Sequence, residues 1–195
     1  MDKQEIRKEI RSRKRQYSSS QLEELSLSVL TQLSENEHLQ DAHTILMYYS
    51  LPDEVYTHAY IDLLVKRGKK VLLPVVVDDK HMILREYTGP QDLKEGAFHI
   101  MEPIGKLYPE NQYPDIELGI IPGMSFDYRG NRLGRGKGFY DRFLQQAKGM
   151  YKIGICFDFQ LWEGNHSQPF IPTEETDIQM DEVISGTHTY SNDKI

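Results

Sequence analysis

Six short runs of apolar and β-branched residues, with helical patterns between several of them, constrain this chain more than any other feature. They cover residues 44–49, 70–77, 81–87, 117–121, 151–157 and 182–185. Each has strand length and is too short for a helix that must bury one face. Residues 2–16 read as a helix, with Ile6 and Ile10 on one side. Ser18 to Ser20 can cap a second helix, whose stripe is Leu22, Leu25, Val29 and Leu33. Residues 57–67 read as a third, stopped by Gly68, and another is expected to start near Gly138 with Tyr140, Phe143 and Leu144. Strands alternating with helices predict an α/β fold with a mostly parallel open sheet, helices on both faces, in the Rossmann-like manner. Residues 88–115 carry Pro90, Pro103, Pro109 and Pro114 and are expected to be irregular, the kind of stretch that serves as a lid or binding loop. Ligands of open α/β sheets sit at the carboxyl ends of the strands, so the loops after Tyr49, Val77, Ile121 and Phe157 are expected to share one rim.

At 195 residues the chain is expected to form one domain, 1–195, with a substantial core. No apolar run approaches membrane-spanning length, and the first residues are charged, unlike a secretory leader. The one cysteine, Cys156, lies in an apolar run and reads as a small core residue. A lone cysteine closes no internal disulfide, which fits the reducing cytoplasm. The net charge of −7 conceals an asymmetry: residues 1–17 hold seven Lys/Arg against three Asp/Glu, a net +4, which leaves −11 for the rest. An acidic body argues against a nucleic-acid partner. The basic start reads as a solvated helix face or as a contact for a local anion. The seven histidines show no metal-ligand spacing, so no zinc site is expected.

The chemistry concentrates in Arg132-Leu133-Gly134-Arg135-Gly136-Lys137-Gly138-Phe139-Tyr140-Asp141-Arg142. Glycine tolerates positive φ and leaves the backbone N–H groups unobstructed. A concavity of such groups, ahead of a helix N-terminus, binds anions, and the interleaved cations point to a polyphosphate. The spacing is neither that of a P-loop nor that of the dinucleotide fingerprint. Taken alone, the run also reads as a tight turn with solvated charges.

Together with Pro122-Gly123-Met124-Ser125-Phe126-Asp127, this run resembles the signature of the 5-formyltetrahydrofolate cyclo-ligase family, also called methenyltetrahydrofolate synthetases. Weaker matches at Lys3 to Arg7, Leu51 to Thr57, Glu102-Pro103 and Gly154 to Gln160 extend the resemblance over nearly the whole chain. It implies ATP-dependent closure of 5-formyltetrahydrofolate to 5,10-methenyltetrahydrofolate, with release of ADP and phosphate. ATP is then the co-substrate and Mg²⁺ the metal, and the partners are small molecules, with no nucleic acid and no membrane, acting on a monomer.

The resemblance assigns ATP to Lys3, Arg7, Arg132, Leu133, Gly134, Arg135, Gly136, Lys137, Gly138, Phe139 and Tyr140. Arg135 and Lys137 are the expected catalytic cations, and Lys137, where relatives vary, is expected to tune the rate. Asp141 and Asp177 are the expected Mg²⁺ ligands; read without the resemblance, they are a helix-start acid and part of a solvated acidic loop. Glu54 matches a glutamate that holds the folate, and Tyr49 or Tyr48 is placed to stack on the pterin. Phe159 or Trp162 is expected to wall the pocket. Two other readings fit a phosphate loop on this sheet: a sugar-phosphate isomerase or CoA-binding enzyme, and a nucleotide-sensing module without chemistry.

Overall fold

The computed structural model describes residues 1–192. The sheet is built on alternation, and each strand of its centre sends successive side chains to opposite faces. Strands β1 (Thr44–Leu46), β2 (Lys70–Val76), β3 (Met82–Tyr87), β4 (Leu93–Glu95), β5 (Met101–Pro103), β6 (Leu107–Tyr108), β7 (Leu118–Ile121), β8 (Ser125–Phe126), β9 (Arg132–Leu133), β10 (Tyr151–Ile155), β11 (Glu182–Ile184) and β12 (Thr189–Ser191) follow in chain order. Eight of them form one sheet in the order β12-β11-β10-β7-β1-β2-β3-β6. The five from β11 to β2 run parallel, and the edges at β12, β3 and β6 are antiparallel. This is the mostly parallel α/β sheet that the sequence predicts.

The helices are α1 (Lys3–Lys14), α2 (Ser19–Ser34), α3 (Glu37–Asp41), α4 (His58–Lys66) and α5 (Phe139–Gln146). Ile45, Val71, Ile120 and Ile153 face α2, α3 and α4 in one buried cluster. Their chain neighbours Leu46, Leu72 and Ile121 face the other way, into a cluster with Phe143 and Leu144 of α5. Helices therefore cover both faces. Phe126 fills the space over Gly154, where an added Cβ would lie 2.3 Å from the ring. Helix α1 lies elsewhere: its Ile6 and Ile10 pack on Leu133, Trp162 and Ile171 beside the glycine-rich run.

Helix ends follow local chemistry. Asp2 and Glu5 form a reciprocal cap on α1, and Ser18 and Gln21 do the same on α2. The predicted irregular stretch 88–115 is more ordered than its prolines suggest. It carries the hairpin β4–β5 and the edge strand β6, because the prolines fall at hairpin ends and short 3₁₀ turns.

Candidate functional site

Parallel strands point their carboxyl ends the same way, and the loops that leave those ends are tied together. Gln160, after β10, donates to the carbonyls of Gly123 and Met124, after β7, both at 3.1 Å. Arg135 reaches Asp53, after β1, at 3.0 Å. Arg142 donates to the carbonyl of Lys80, after β2, at 2.9 Å. The rim expected from the sequence is one connected surface.

The glycine-rich run begins as β9 and ends as α5. Gly136 and Gly138 have φ of 106° and 69°, the left-handed region that side chains avoid. The Arg7 guanidinium lies against Gly136, 3.5 Å from where a Cβ would sit, an ordinary van der Waals contact. Arg7 is buried beneath the loop and donates from Nε to the Gly134 carbonyl at 2.8 Å. Burial, with Arg11 as a like-charged neighbour, pulls its pKa down. Lys137 is exposed and makes no ion pair among the described residues.

Arg132 is different. Its side chain is 4% exposed, with one amino group on the Pro122 carbonyl at 3.1 Å and the other on Asp141 at 3.3 Å. It lies over the Tyr140 ring at 5.4 Å, and its Nε is buried without a partner. Such an arginine fixes Asp141 and the start of α5.

Asp141 and Asp177 are brought near one another by the segment that follows α5. Asp141 Oδ1 accepts the backbone N–H of Ile178 at 3.2 Å. Asp177 accepts from Lys3 Nζ at 2.6 Å, and Lys3 also reaches Glu174 at 3.0 Å. Burial works against the Lys3 ammonium, but Asp177 and Glu174 outweigh it and hold its pKa above the ordinary value. A cavity of about 340 Å³ opens between Arg132 and the 173–181 segment, with Asp177 and Glu174 in its wall.

The loop after β1 carries the other half of the site. Ser50 and Thr57 close it reciprocally, each backbone N–H donating to the other's hydroxyl at 3.1 and 3.0 Å. Inside it, the Leu51 N–H donates to Glu54 Oε1 at 2.8 Å. Burial pushes the Glu54 carboxyl up, against the pull of the Leu51 N–H and Arg135. Glu54 Oε2 lies 3.6 Å from Arg135. Tyr49 is half-buried and stacks on His58 at 3.6 Å, whereas Tyr48 turns into the core.

Several contributors escape the sequence reading. Asp53 joins Arg135 to Lys14 of α1, the latter at 3.1 Å. The signal for Lys14 is its place on the Lys3–Arg7 side of one helix, eleven residues on from Lys3. Trp162 packs against Ile6 and Ile10 as core, and Phe159 stacks on Tyr17 at 4.7 Å at the edge of the main cluster.

A mostly parallel open sheet whose rim sets a cationic glycine loop against a largely buried carboxylate is the setting of an anion-binding site in an α/β protein. The profile of the 5-formyltetrahydrofolate cyclo-ligase family matches residues 1–186, and the chain belongs to that family. It is 34% identical over 190 residues to the 5-formyltetrahydrofolate cyclo-ligase of Haemophilus influenzae, covering 94% of this chain and 97% of the relative. Its fold is similar to the 5,10-methenyltetrahydrofolate synthetase of Aquifex aeolicus, with a TM-score of 0.83, 28% identity and coverage of 100% and 95% of the two chains. The synthetase of Mycoplasma pneumoniae gives a TM-score of 0.72 at 25% identity, over 94% and 98%.

Proposed function

We infer that the protein is an ATP-dependent 5-formyltetrahydrofolate cyclo-ligase, which closes 5-formyltetrahydrofolate to 5,10-methenyltetrahydrofolate. The observation that carries this reading is Arg135, which spans from the phosphate loop to the Asp53–Glu54 pair at 3.0 and 3.6 Å. In this reading Arg135 is the cation that meets the phosphates, and Glu54 beside it is the carboxylate suited to a pterin edge.

A formamide oxygen is a poor leaving group. Transfer of the ATP γ-phosphoryl to that oxygen breaks the bond to ADP and makes a phosphorylated iminium. N10 of the folate attacks its carbon and loses its proton to solvent, and phosphate departs with the former formyl oxygen and the C–O electron pair. This chemistry asks for positioning and charge stabilisation, with no protein nucleophile. The N–H groups of Gly134, Gly136 and Gly138 cradle phosphate oxygens, with Leu133, Phe139 and Tyr140 framing the loop. Lys3, Arg7 and Arg132 hold the loop and its acidic neighbours. Arg135 and Lys137 meet charge that develops during transfer. Glu54 accepts donors of the pterin edge, and Tyr49 presents a ring face to it.

Asp141 and Asp177 are the residues that would hold Mg²⁺. The described residues contain no group of three or more acidic, His or Cys side chains fit to hold a metal ion. Two carboxylates suit an ion that completes its shell with phosphate oxygens and water. Bound there, Mg²⁺ supplies charge neutralisation on the phosphates. No helix among the described residues is long and apolar enough to cross a membrane.

The test is stoichiometry. Phosphate released from ATP is expected to equal 5-formyltetrahydrofolate consumed, with none released when folate is omitted. Rapid ATP hydrolysis without folate contradicts the reading.

A further inference from the structure

We propose that Asp53 is a positioning residue that holds Arg135 off Glu54, which leaves a Glu54 oxygen open for the folate until ATP draws Arg135 to the phosphates. The proposal rests on the folate role of Glu54 and adds to it a residue that the site reading does not use.

Arg135 has two carboxylates to choose from. Its Nη2 hydrogen-bonds Asp53 Oδ1 at 3.0 Å, whereas with Glu54 Oε2 it keeps only a 3.6 Å ion pair, longer than a hydrogen bond. The second Asp53 oxygen accepts from Lys14 at 3.1 Å, which anchors Asp53 to α1. Solvation alone predicts the opposite preference: the Asp53 side chain is 43% exposed and that of Glu54 only 14%. A carboxylate short of water has more to gain from a guanidinium. Glu54 has already committed Oε1 to the Leu51 N–H, so Oε2 is the oxygen left for a ligand. An arginine that closed on it would occupy that oxygen.

Charges around the pair agree. Burial opposes ionisation of Asp53, yet Lys14 and Arg135 outweigh it and hold the carboxyl below its ordinary range. Glu54 stays above its own ordinary range, pushed by burial and by Asp53 against the Leu51 N–H, Arg135 and Lys14. The remaining titratable neighbours are the phenols of Tyr48 and Tyr140, both pushed up by burial and neutral at physiological pH.

Two measurements on the full chain test this. The first is a ¹³C NMR titration of the Glu54 carboxyl without substrates, in the wild type, Asp53→Asn, Arg135→Ala and the double variant. Asp53→Asn is expected to lower the Glu54 pKa because Arg135 moves onto it, and the lowering is expected to vanish in the Arg135→Ala background. An equal lowering in both backgrounds is the mere loss of a nearby negative charge and overturns the proposal. The second is calorimetric binding of 5-formyltetrahydrofolate. Asp53→Asn is expected to weaken it by roughly tenfold without nucleotide, the scale of coupling between contacting residues. A non-hydrolysable ATP analogue restores it, and Asp53→Glu retains it. Wild-type affinity in Asp53→Asn contradicts the proposal. A wild type that fails to bind 5-formyltetrahydrofolate removes the folate reading, and the NMR titration still decides the position of Arg135.

Discussion

The backbone N–H of Ile178 donates to the Asp141 carboxylate at 3.2 Å, which brings the residue after the phosphate loop beside Asp177. Arg132 and Lys3 hold the two carboxylates in place at 3.3 and 2.6 Å. If this pair binds Mg²⁺, Asp141→Asn and Asp177→Asn raise the Mg²⁺ concentration needed for half-maximal activity. The expected rise is roughly 10–100-fold, the scale of altered metal-site residues. Titration of turnover with Mg²⁺ checks it; an unchanged requirement in both variants moves the metal elsewhere.

Arg135 and Glu54 stand 3.6 Å apart, yet their losses are expected to fall on different constants. Arg135→Ala is expected to lower kcat by roughly 10²–10³-fold, as when a preorganised transition-state donor is removed, and to leave folate binding nearly intact. Glu54→Ala is expected to weaken folate binding by about 1–3 kcal/mol, the cost of donors left unsatisfied. ATP binding should persist in it. Steady-state kinetics with equilibrium binding separates the two. A Glu54→Ala variant that loses ATP instead assigns Glu54 to the wrong substrate.

The pH profile follows from burial. Glu54 must be ionised to accept pterin donors, and burial raises its pKa above the ordinary 4.5. The acid limb of kcat/KM for the folate is therefore expected above pH 4.5. Without nucleotide, Arg135 pulls this pKa down, so Arg135→Ala shifts the acid limb of folate binding measured in the absence of ATP to higher pH. A shift to lower pH contradicts the pairing. For stability the neighbours act with opposite sign. Asp53, depressed below 3.8, contributes stability that is present above that value and lost as pH falls through its folded pKa. Glu54, raised, contributes stability that is present below 4.5 and lost as pH rises through its folded pKa.

Gly154 makes room for Phe126. Gly154→Ala places a methyl 2.3 Å from a fully buried ring and is expected to cost about 1–3 kcal/mol, as overpacked cores do. Denaturant unfolding measures it. The cost is expected to shrink in a Phe126→Leu background, because the two side chains compete for one space. An undiminished cost there points to backbone strain instead.

Much of this was legible in the sequence because it is local. The caps at Ser18 and Gly68, the short apolar run that becomes β1, and the start of α5 at Gly138 depend on neighbours along the chain. Short elements were not legible: α3 has five residues, and β8 and β9 have two each. Two paired residues, or little more than one helical turn, leave no periodicity to read. The site divides the same way. The loop 132–138 announces itself by composition. Asp53 and Lys14 do not, since their link crosses 39 positions and exists only once α1 meets the loop after β1. The sealed setting of Arg132 depends on partners ten and nine residues away, Pro122 and Asp141, which meet it only once β9 and α5 are folded.

The most direct test of the central claim is the near-ultraviolet absorbance of the purified protein with 5-formyltetrahydrofolate. The methenyl product is conjugated and absorbs where the substrate does not. A rise that requires both ATP and Mg²⁺, and is lost in Arg135→Ala, is the result this account predicts. ATP bound with no rise in absorbance would contradict it, and would leave a phosphate loop that serves another substrate.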